Sequence, residues 1–445
     1  MGFPVFKTGD GSLCGPWWVR LPSIPAFPLC DILYNIISKK TMNLPTQTEN
    51  SLNTEYFQAI IQRIMRIDDA TIGGTGQGYA FRYRGHIYSE DTETVYKELE
   101  SRLKPLGYTP LFRWEGSRHV ILLVKGVVQP KPSNPKVNLA LFILTIISVI
   151  AAGGLSSGEP LPSGFLAAIG AVISRGWPFT VALMAILVAH EFGHYLVGRR
   201  HHVDVSLPYF IPLPYPLAIF GTMGAFINMK SIPRNKRELL DIGIAGPLAG
   251  LLVAIPVLFI GLHLSSLHVI KESVPPNMYI LEGNSLLYLF SKFLVFGQLL
   301  PAPVDFGGLS PILYWVRYFF TGNPVPVGGL DVIIHPVAWA AWGGLLVTAV
   351  NLIPAGQLDG GHVVNVLFGP KWTRRLFYLI LVVLAGMGFL WSGWWLWAGI
   401  IFLIGQRPAE PLDMITPLDT RRKWLGVLAL FVFVITFTPI PLMVH

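Results

Sequence analysis

Apolar runs dominate this chain from residue 137 onward, and their lengths predict its architecture. A helix that crosses a bilayer needs roughly 20 mostly apolar residues. Residues 137–158, 242–267, 332–358 and 424–444 supply such runs without a charged side chain, and 177–197 does so apart from a His/Glu cluster. The run 376–406 is also uncharged but too long for one crossing. Within it, Ser392-Gly393 stands among Trp391, Trp394, Trp395 and Trp397 and reads as an interfacial turn between two spans. The pattern predicts an all-α polytopic membrane body over 137–445 with about seven transmembrane helices. Shorter runs fall below spanning length: 161–173 is expected at the outer surface, and 284–300 and 309–320 as interfacial or re-entrant segments. The stretch 203–229 holds Pro208, Pro212, Pro214 and Pro216 and cannot be one helix. Such backbone at membrane depth must line a wet cavity or pack within protein, so a re-entrant or β-loop segment is expected there.

Residues 52–136 differ in kind. They carry ordinary charge density and alternate between helical and strand periodicity, which predicts a small soluble α+β domain. Its expected elements are an amphipathic helix over 55–66, a strand over 79–88, a helix over 92–104 capped by Asp91, and strands over 109–114 and 119–124 turning at Gly116. Gly73, Gly74, Gly76 and Gly78 precede a strand instead of opening a helix after one, so they read as a linker and not as a nucleotide-binding loop. Residues 1–51 read as a poorly ordered extension; the first 41 are rich in Pro, Gly and aromatics without a signal-peptide core, and Met42 is an alternative start.

Composition sharpens this reading. Of 445 residues, 52% are hydrophobic and 13% charged, against roughly 25% charged in a soluble domain. The 2 cysteines, Cys14 and Cys30, exclude a disulfide scaffold. The net charge of +8 follows the excess of Lys and Arg in cytoplasmic loops and not a nucleic-acid surface, since no basic run is interleaved with aromatics. Basic clusters at Lys131/Lys136, Arg199/Arg200, Lys230/Arg234/Lys236/Arg237, Lys371/Arg374/Arg375 and Arg407/Arg421/Arg422/Lys423 all fall on one side if the spans alternate. The stretch 264–331 carries only Lys271, Lys292 and Arg317 and belongs outside. The N-terminal domain is therefore expected in the cytoplasm, with a bacterial plasma membrane as the host and a plastid membrane as the alternative.

Within the second span the chain reads His190-Glu191-Phe192-Gly193-His194. Residues four apart share a helix face, so His190 and His194 can present two imidazole nitrogens to one Zn²⁺. Glu191 stands beside them, placed to take a proton from the attacking water and give it to the leaving amine. Ionisable groups inside a span are costly and mark function by default. A zinc hydrolase needs a third protein ligand, and Asp359, close to the cytoplasmic end of the run 332–358, matches His194 in depth. The alternative is that Asp359 only makes an Asp-Gly turn. His362 fits a supporting partner of the site better than a ligand. Outside this cluster, His201 and His202 read as a solvated edge, His335 as interfacial, and Asp241 as the cap of the third span.

His190-Glu-Phe-Gly-His194, followed on a later span by Asn351-Leu-Ile-Pro-Ala-Gly-Gln-Leu-Asp359-Gly-Gly-His362, resembles the site-2 proteases, the intramembrane zinc metalloproteases. Gly221-Thr-Met-Gly224-Ala-Phe-Ile and Asp241-Ile-Gly-Ile-Ala-Gly-Pro247-Leu-Ala-Gly250 resemble that family's membrane-associated strand loop and the helix after it. The soluble N-terminal domain and the lack of an evident PDZ segment are most similar to the EGY-like branch. The resemblance implies one zinc held by His190, His194 and Asp359, Glu191 as acid/base, and Asn351 as a substrate-positioning residue. Gly221 and Gly224, in the strand loop, are the expected place where an extended substrate adds by β-pairing. The expected substrates are membrane proteins with a transmembrane helix. The alternative is a transporter or metal-handling channel with a buried His/Asp site, which would have no use for Glu191. A catalytically silent scaffold and a prenyl-protein-type zinc protease, whose third ligand would be a downstream Glu, fit the residues less well.

Overall fold

The computed structural model describes residues 47–74, 77–130, 132–270, 280–324, 326–405 and 409–444; the expectations for residues 1–46, Met42 included, lie outside them. The N-terminal domain consists of α1 (Gln47–Gln62), β1 (Met65–Ile72), β2 (Phe81–Ile87), α2 (Thr92–Leu103), β3 (Tyr108–Glu115) and β4 (Arg118–Lys125). Its sheet is antiparallel in the order β1-β2-β4-β3. Phe57 and Ile61 of α1 and Tyr96 and Leu99 of α2 pack with Tyr83, Phe112 and Ile121 of the sheet to form its core. Asp91 caps α2, accepting from Thr94 N–H at 3.2 Å, and Gly116 turns β3 into β4 with φ +63°. The fourth strand, β1, replaces the expected end of the first helix. It is an edge strand with Met65 alone buried and a bulge between Ile67 and Asp69, so the alternation that marks a half-buried strand is missing from its sequence.

The membrane body begins with α3 (Pro135–Leu155), α4 (Phe165–Arg200) and α5 (Lys236–His263). Among the described residues these are the three helices long and apolar enough to cross a membrane. The run 161–173 is not a separate surface segment, since most of it forms the start of the 36-residue α4. At 1.5 Å per residue that helix extends ~54 Å, well beyond the ~30 Å apolar core of a bilayer. Its first part is held on α3 by backbone contact: a Cβ at Gly154 would meet Val172 O at 2.3 Å, and one at Gly176 would meet Ile150 O at 2.2 Å.

Beyond α5, the 11-residue helices α6 (Leu286–Phe296) and α7 (Pro311–Thr321) have about half the length of a crossing. Further apolar helices follow: α8 (Pro336–Asn351), α9 (Asp359–Phe368), α10 (Pro370–Met387), α11 (Gly393–Ile404) and α12 (Thr420–Thr436). The uncharged runs thus yield shorter helices than expected. The run 332–358 starts its helix only after His335, whose side chain caps α8 by accepting from Val337 N–H at 3.3 Å, and Pro354 and Gly356 (φ +63°) break it again. The run 424–444 stops being helical at Thr436, before Pro439 and Pro441. Its end, β10 (Leu442–Val444), pairs antiparallel with β8 (Ile280–Glu282), while β7 (Ser266–Val269) pairs with β9 (Leu330–Ile333). The turn at Ser392-Gly393 is where expected, between α10 and α11.

One segment ties the N-terminal domain to the membrane body. Phe112 N–H donates to Leu412 O at 2.9 Å and Met414 N–H to Phe112 O at 3.0 Å, so residues 412–414 extend the sheet beyond β3. On its other side Leu412 N–H reaches Pro233 O at 3.0 Å and Asp413 N–H reaches Arg234 O at 2.6 Å, at the entrance to α5. Burial pushes the Asp413 carboxyl up, and it is held by the N–H groups of Ile415 and Thr416 at 2.7 and 3.1 Å and by the Thr416 hydroxyl.

Candidate metal centre

His190, Glu191 and His194 lie in the last three turns of α4, all of them buried. The helical spacing brings the two imidazole Nε2 atoms to 3.3 Å. Asp359 is the first residue of α9, a short helix entered from the loop after α8, and not the end of the preceding span as its sequence suggested. Its Oδ2 lies 3.3 Å from His194 Nε2 and 3.6 Å from His190 Nε2. One ligand atom from each residue falls within 4.8 Å of the others. Position at a helix N-terminus favours the ionised carboxylate.

A cation fits this constellation on chemical grounds. His194 Nδ1 lies 2.7 Å from Ile242 O. A carbonyl only accepts, so this contact places the proton on Nδ1 and leaves Nε2 as a lone-pair nitrogen. That lone pair faces a carboxylate oxygen and a second imidazole nitrogen. Two nitrogens and one oxygen converging in a buried site form the donor set of a three-ligand zinc centre.

The face of α5 against this site is made of glycines. A Cβ at Gly246 would stand 2.0 Å from His194 Nε2, one at Gly250 3.2 Å from His190 Cβ, and one at Gly243 3.4 Å from His362 Cβ. A side chain there would occupy the space that the imidazoles need. Gly193 brings α4 equally close to α5, since its Cβ would meet Ala245 O at 2.5 Å. The spacing of small residues at 243, 246 and 250 is the signal that points to this close crossing in the sequence.

Of the other expected site residues, Asn351 ends α8 with Nδ2 3.3 Å from His190 Nε2, beside the ligand cluster. His362 lies one turn after Asp359, buried, and its Nδ1 has no hydrogen-bond partner among the described residues. The strand loop is a hairpin of β5 (Tyr209–Pro212) and β6 (Thr222–Phe226), and β6 pairs only with β5 among the described residues. Its two glycines separate. Gly221 is explained by packing, because a Cβ would meet Ser148 O of α3 at 2.5 Å. Gly224, with φ +97°, has nothing within 4 Å of a Cβ and fronts open space.

Asp241 does not cap α5. Asn235 does, accepting from Glu238 N–H at 3.0 Å. Asp241 instead accepts both arms of Arg422 from α12, at 2.8 and 2.6 Å, and pairs with His201 at 2.9 Å. His201 is therefore held at the end of α4 instead of forming a solvated edge. The charged knot joins α4, α5 and α12 next to Ile242, whose carbonyl orients His194. Sequence reasoning missed the part of Arg422, because nothing local links it to a residue so far away along the chain.

Residues 178–391 match peptidase family M50, and this stretch holds His190, Glu191, His194, Asn351, Asp359 and His362. The chain is 30% identical over 339 residues to the probable zinc metalloprotease EGY1, chloroplastic, of Arabidopsis thaliana, covering 72% of this chain and 56% of that protein. It is 30% identical over 342 residues to the protein of the same name from Oryza sativa subsp. japonica, covering 72% and 53%. To the probable zinc metalloprotease EGY2, chloroplastic, of Arabidopsis thaliana it is 29% identical over 272 residues, covering 61% and 43%. The chain spans about half the length of the curated relatives it matches. No solved structure matches it.

Proposed function

The chain is a member of the site-2 protease family, peptidase family M50, with EGY-like relatives, and we propose that it is an intramembrane zinc metalloprotease hydrolysing peptide bonds in or near transmembrane segments of other membrane proteins. The observation that carries this reading is the buried convergence of His190, His194 and Asp359 beside Glu191. Those three side chains would hold the zinc. When bound, the ion supplies Lewis-acid polarisation of the scissile carbonyl and a lowered pKa for the attacking water. Glu191 takes the proton from that water as the oxygen attacks and passes it to the leaving nitrogen. Asn351, next to His190, orients the substrate backbone. His362 supports Asp359 from the following turn.

A substrate helix hides its peptide bonds in its own hydrogen bonds and must unwind before attack. The β6 hairpin suits β-addition of an extended segment, with open space where a side chain at Gly224 would obstruct it, once the Thr222 hydroxyl, which accepts from Gly224 N–H at 3.0 Å and donates to Gly224 O at 3.2 Å, gives way. The transporter alternative finds no support in this arrangement.

For topology, we propose seven crossings, by α3, α4, α5, α8, α10, α11 and α12, with α6 and α7 at the outer interface; α11, at 12 residues nearly as short as they are, is counted because it must return the chain from the turn after α10 to the basic side that α12 leaves. The hydrogen bonds joining β3, residues 233–234 and residues 412–414 support a shared side for the N-terminal domain and both basic loops. The β8–β10 pair supports a common opposite side for the chain end and the stretch 264–331. We assign the N-terminal side to the cytoplasm of a bacterial cell, or to the equivalent face of a plastid membrane. Glu191→Gln tests the catalytic assignment: zinc content should stay at the wild-type level while cleavage of a transmembrane substrate is lost. Cleavage by the variant at a near wild-type rate would remove Glu191 from the reaction.

A further inference from the structure

A cavity of about 320 Å³ opens where the start of α5, the end of α9 and the start of α12 meet. Val366, Leu367, Leu418 and Val427 give it apolar walls, and Lys236 and Lys423 complete the lining. Its depth follows from the sequence around it. Lys236 begins α5 shortly before its uncharged stretch, and Lys423 directly precedes the uncharged run of α12, so both amines stand where basic loops give way to apolar helix. That is the level of lipid headgroups, and the exposed Trp424 and Trp372 near it are of the type that anchors helices there.

The neighbouring guanidinium groups are taken up by the protein itself. Arg234 pairs with Glu100, Arg237 with Glu93, and Arg422 with Asp241 and Asp419. Among the described residues, neither Lys236 nor Lys423 lies within 4.0 Å of a carboxylate. Lys423 and Lys236, the second with the Asp413 carboxylate as a charged neighbour beyond ion-pair distance, stand over an apolar cleft at headgroup depth and call for a ligand with the reverse pattern, an anionic head on a hydrocarbon body.

We propose that this cavity binds an anionic membrane lipid, with its phosphate between Lys236 and Lys423 and the start of an acyl chain against Val366, Leu367 and Val427. The lipid would also act on the site described above. The helix that supplies Val366 and Leu367 is the 10-residue α9, whose first residue is Asp359, and Leu367 packs on Gly426 of α12, where a Cβ would come within 2.9 Å of it. Filling the cleft therefore holds α9 between α5 and α12 and steadies the Asp359 carboxylate. Only this consequence for activity rests on the protease reading; the binding does not.

The test compares wild type with Lys236→Gln/Lys423→Gln in nanodiscs of phosphatidylcholine with and without phosphatidylglycerol. The readouts are lipid retained on the protein by native mass spectrometry and the thermal unfolding midpoint, with zinc content measured in parallel. Wild type should retain phosphatidylglycerol and unfold at a higher temperature in its presence. A basic residue near the surface is worth roughly fivefold, ~1 kcal/mol, so the double variant should bind it roughly 25-fold more weakly. The Lys→Arg double variant should bind as wild type does.

Equal retention by the Gln variant would overturn the proposal. So would an equal loss in Arg199→Gln/Arg200→Gln, residues that do not line the cavity, since diffuse attraction would then suffice. Inorganic phosphate reproducing the thermal shift in neutral discs would assign the site to a free anion. Failure of the protease reading would appear as absent zinc and cleavage with the lipid difference intact.

Discussion

Gly246→Ala isolates the role of the α5 glycine face. The new Cβ would lie 2.0 Å from His194 Nε2, 2.3 Å from Cδ2 and 2.5 Å from Cε1. Ordinary contact begins at 3.4 Å, so the ring must withdraw by about 1.4 Å, the difference between 3.4 and 2.0 Å. It has little freedom to do so, because Ile242 O holds Nδ1 at 2.7 Å. Zinc tolerates ligand displacements of only about 0.2 Å. Helix propensity acts in the opposite direction, Ala being better than Gly by ~1 kcal/mol in a helix interior. A purely structural role in a helix would therefore leave the variant as stable as wild type or more so. We expect zinc content and cleavage to fall by a factor of 100 or more, at the upper end of the 10- to 100-fold range seen when ligand support is lost, while the helical content stays intact.

Neighbouring glycines give a graded control. At Gly250 the contacts are 3.2 and 3.3 Å, which a few tenths of an ångström relieve, and at Gly243 the nearest is 3.4 Å. Losses should rank Gly246 well above Gly250 and Gly250 above Gly243, measured by metal analysis of purified variants and cleavage of a transmembrane substrate. Full zinc and near wild-type cleavage in Gly246→Ala would refute the geometry from which this ranking is drawn.

Two further expectations concern the rest of the chain. Single cysteines at 234 and 415, in a Cys14/Cys30-free background, should be labelled from one face of intact vesicles and one at 264 from the other; labelling of 234 and 415 from opposite faces would contradict the shared side. Burial, with Asp331 nearby, pushes the Glu282 carboxyl up to about 7 from 4.5. The folded state then holds this proton more tightly than the unfolded one, so the stability it contributes is complete below 4.5 and is lost as pH rises through about 7. Amide exchange at 280–284 and 442–444, corrected for intrinsic rates, should show more protection at acidic than at alkaline pH, and Glu282→Gln should remove the difference.

Much of the site was legible because membrane burial makes polar residues conspicuous. His190, Glu191 and His194 stand out at helical spacing in an apolar run, and matching depth together with the family resemblance joined them to Asp359. What local pattern could not show was backbone closure over distance. Asp359 opens a helix of its own because Pro354 and Gly356 break the preceding run, and uncharged composition does not report that break. Arg175 interrupted the apolar count that separates 161–173 from 177–197, yet the helix continues through it, with Arg175 paired to Glu159. Strand β1 escaped notice because an exposed, bulged edge has no alternation to read. The strap at 412–414 was equally hidden, since its partners, β3 and the entrance to α5, lie far away in the chain.

The ligand set carries the central claim, and zinc analysis of Asp359→Ala beside His362→Ala tests it most directly. Zinc should be largely lost from Asp359→Ala, as expected when one of three ligands is removed, and mostly retained in His362→Ala, as expected of a supporting group. Full zinc in Asp359→Ala together with its loss from His362→Ala would contradict the account, assigning the third position to His362 and making the centre a three-histidine one.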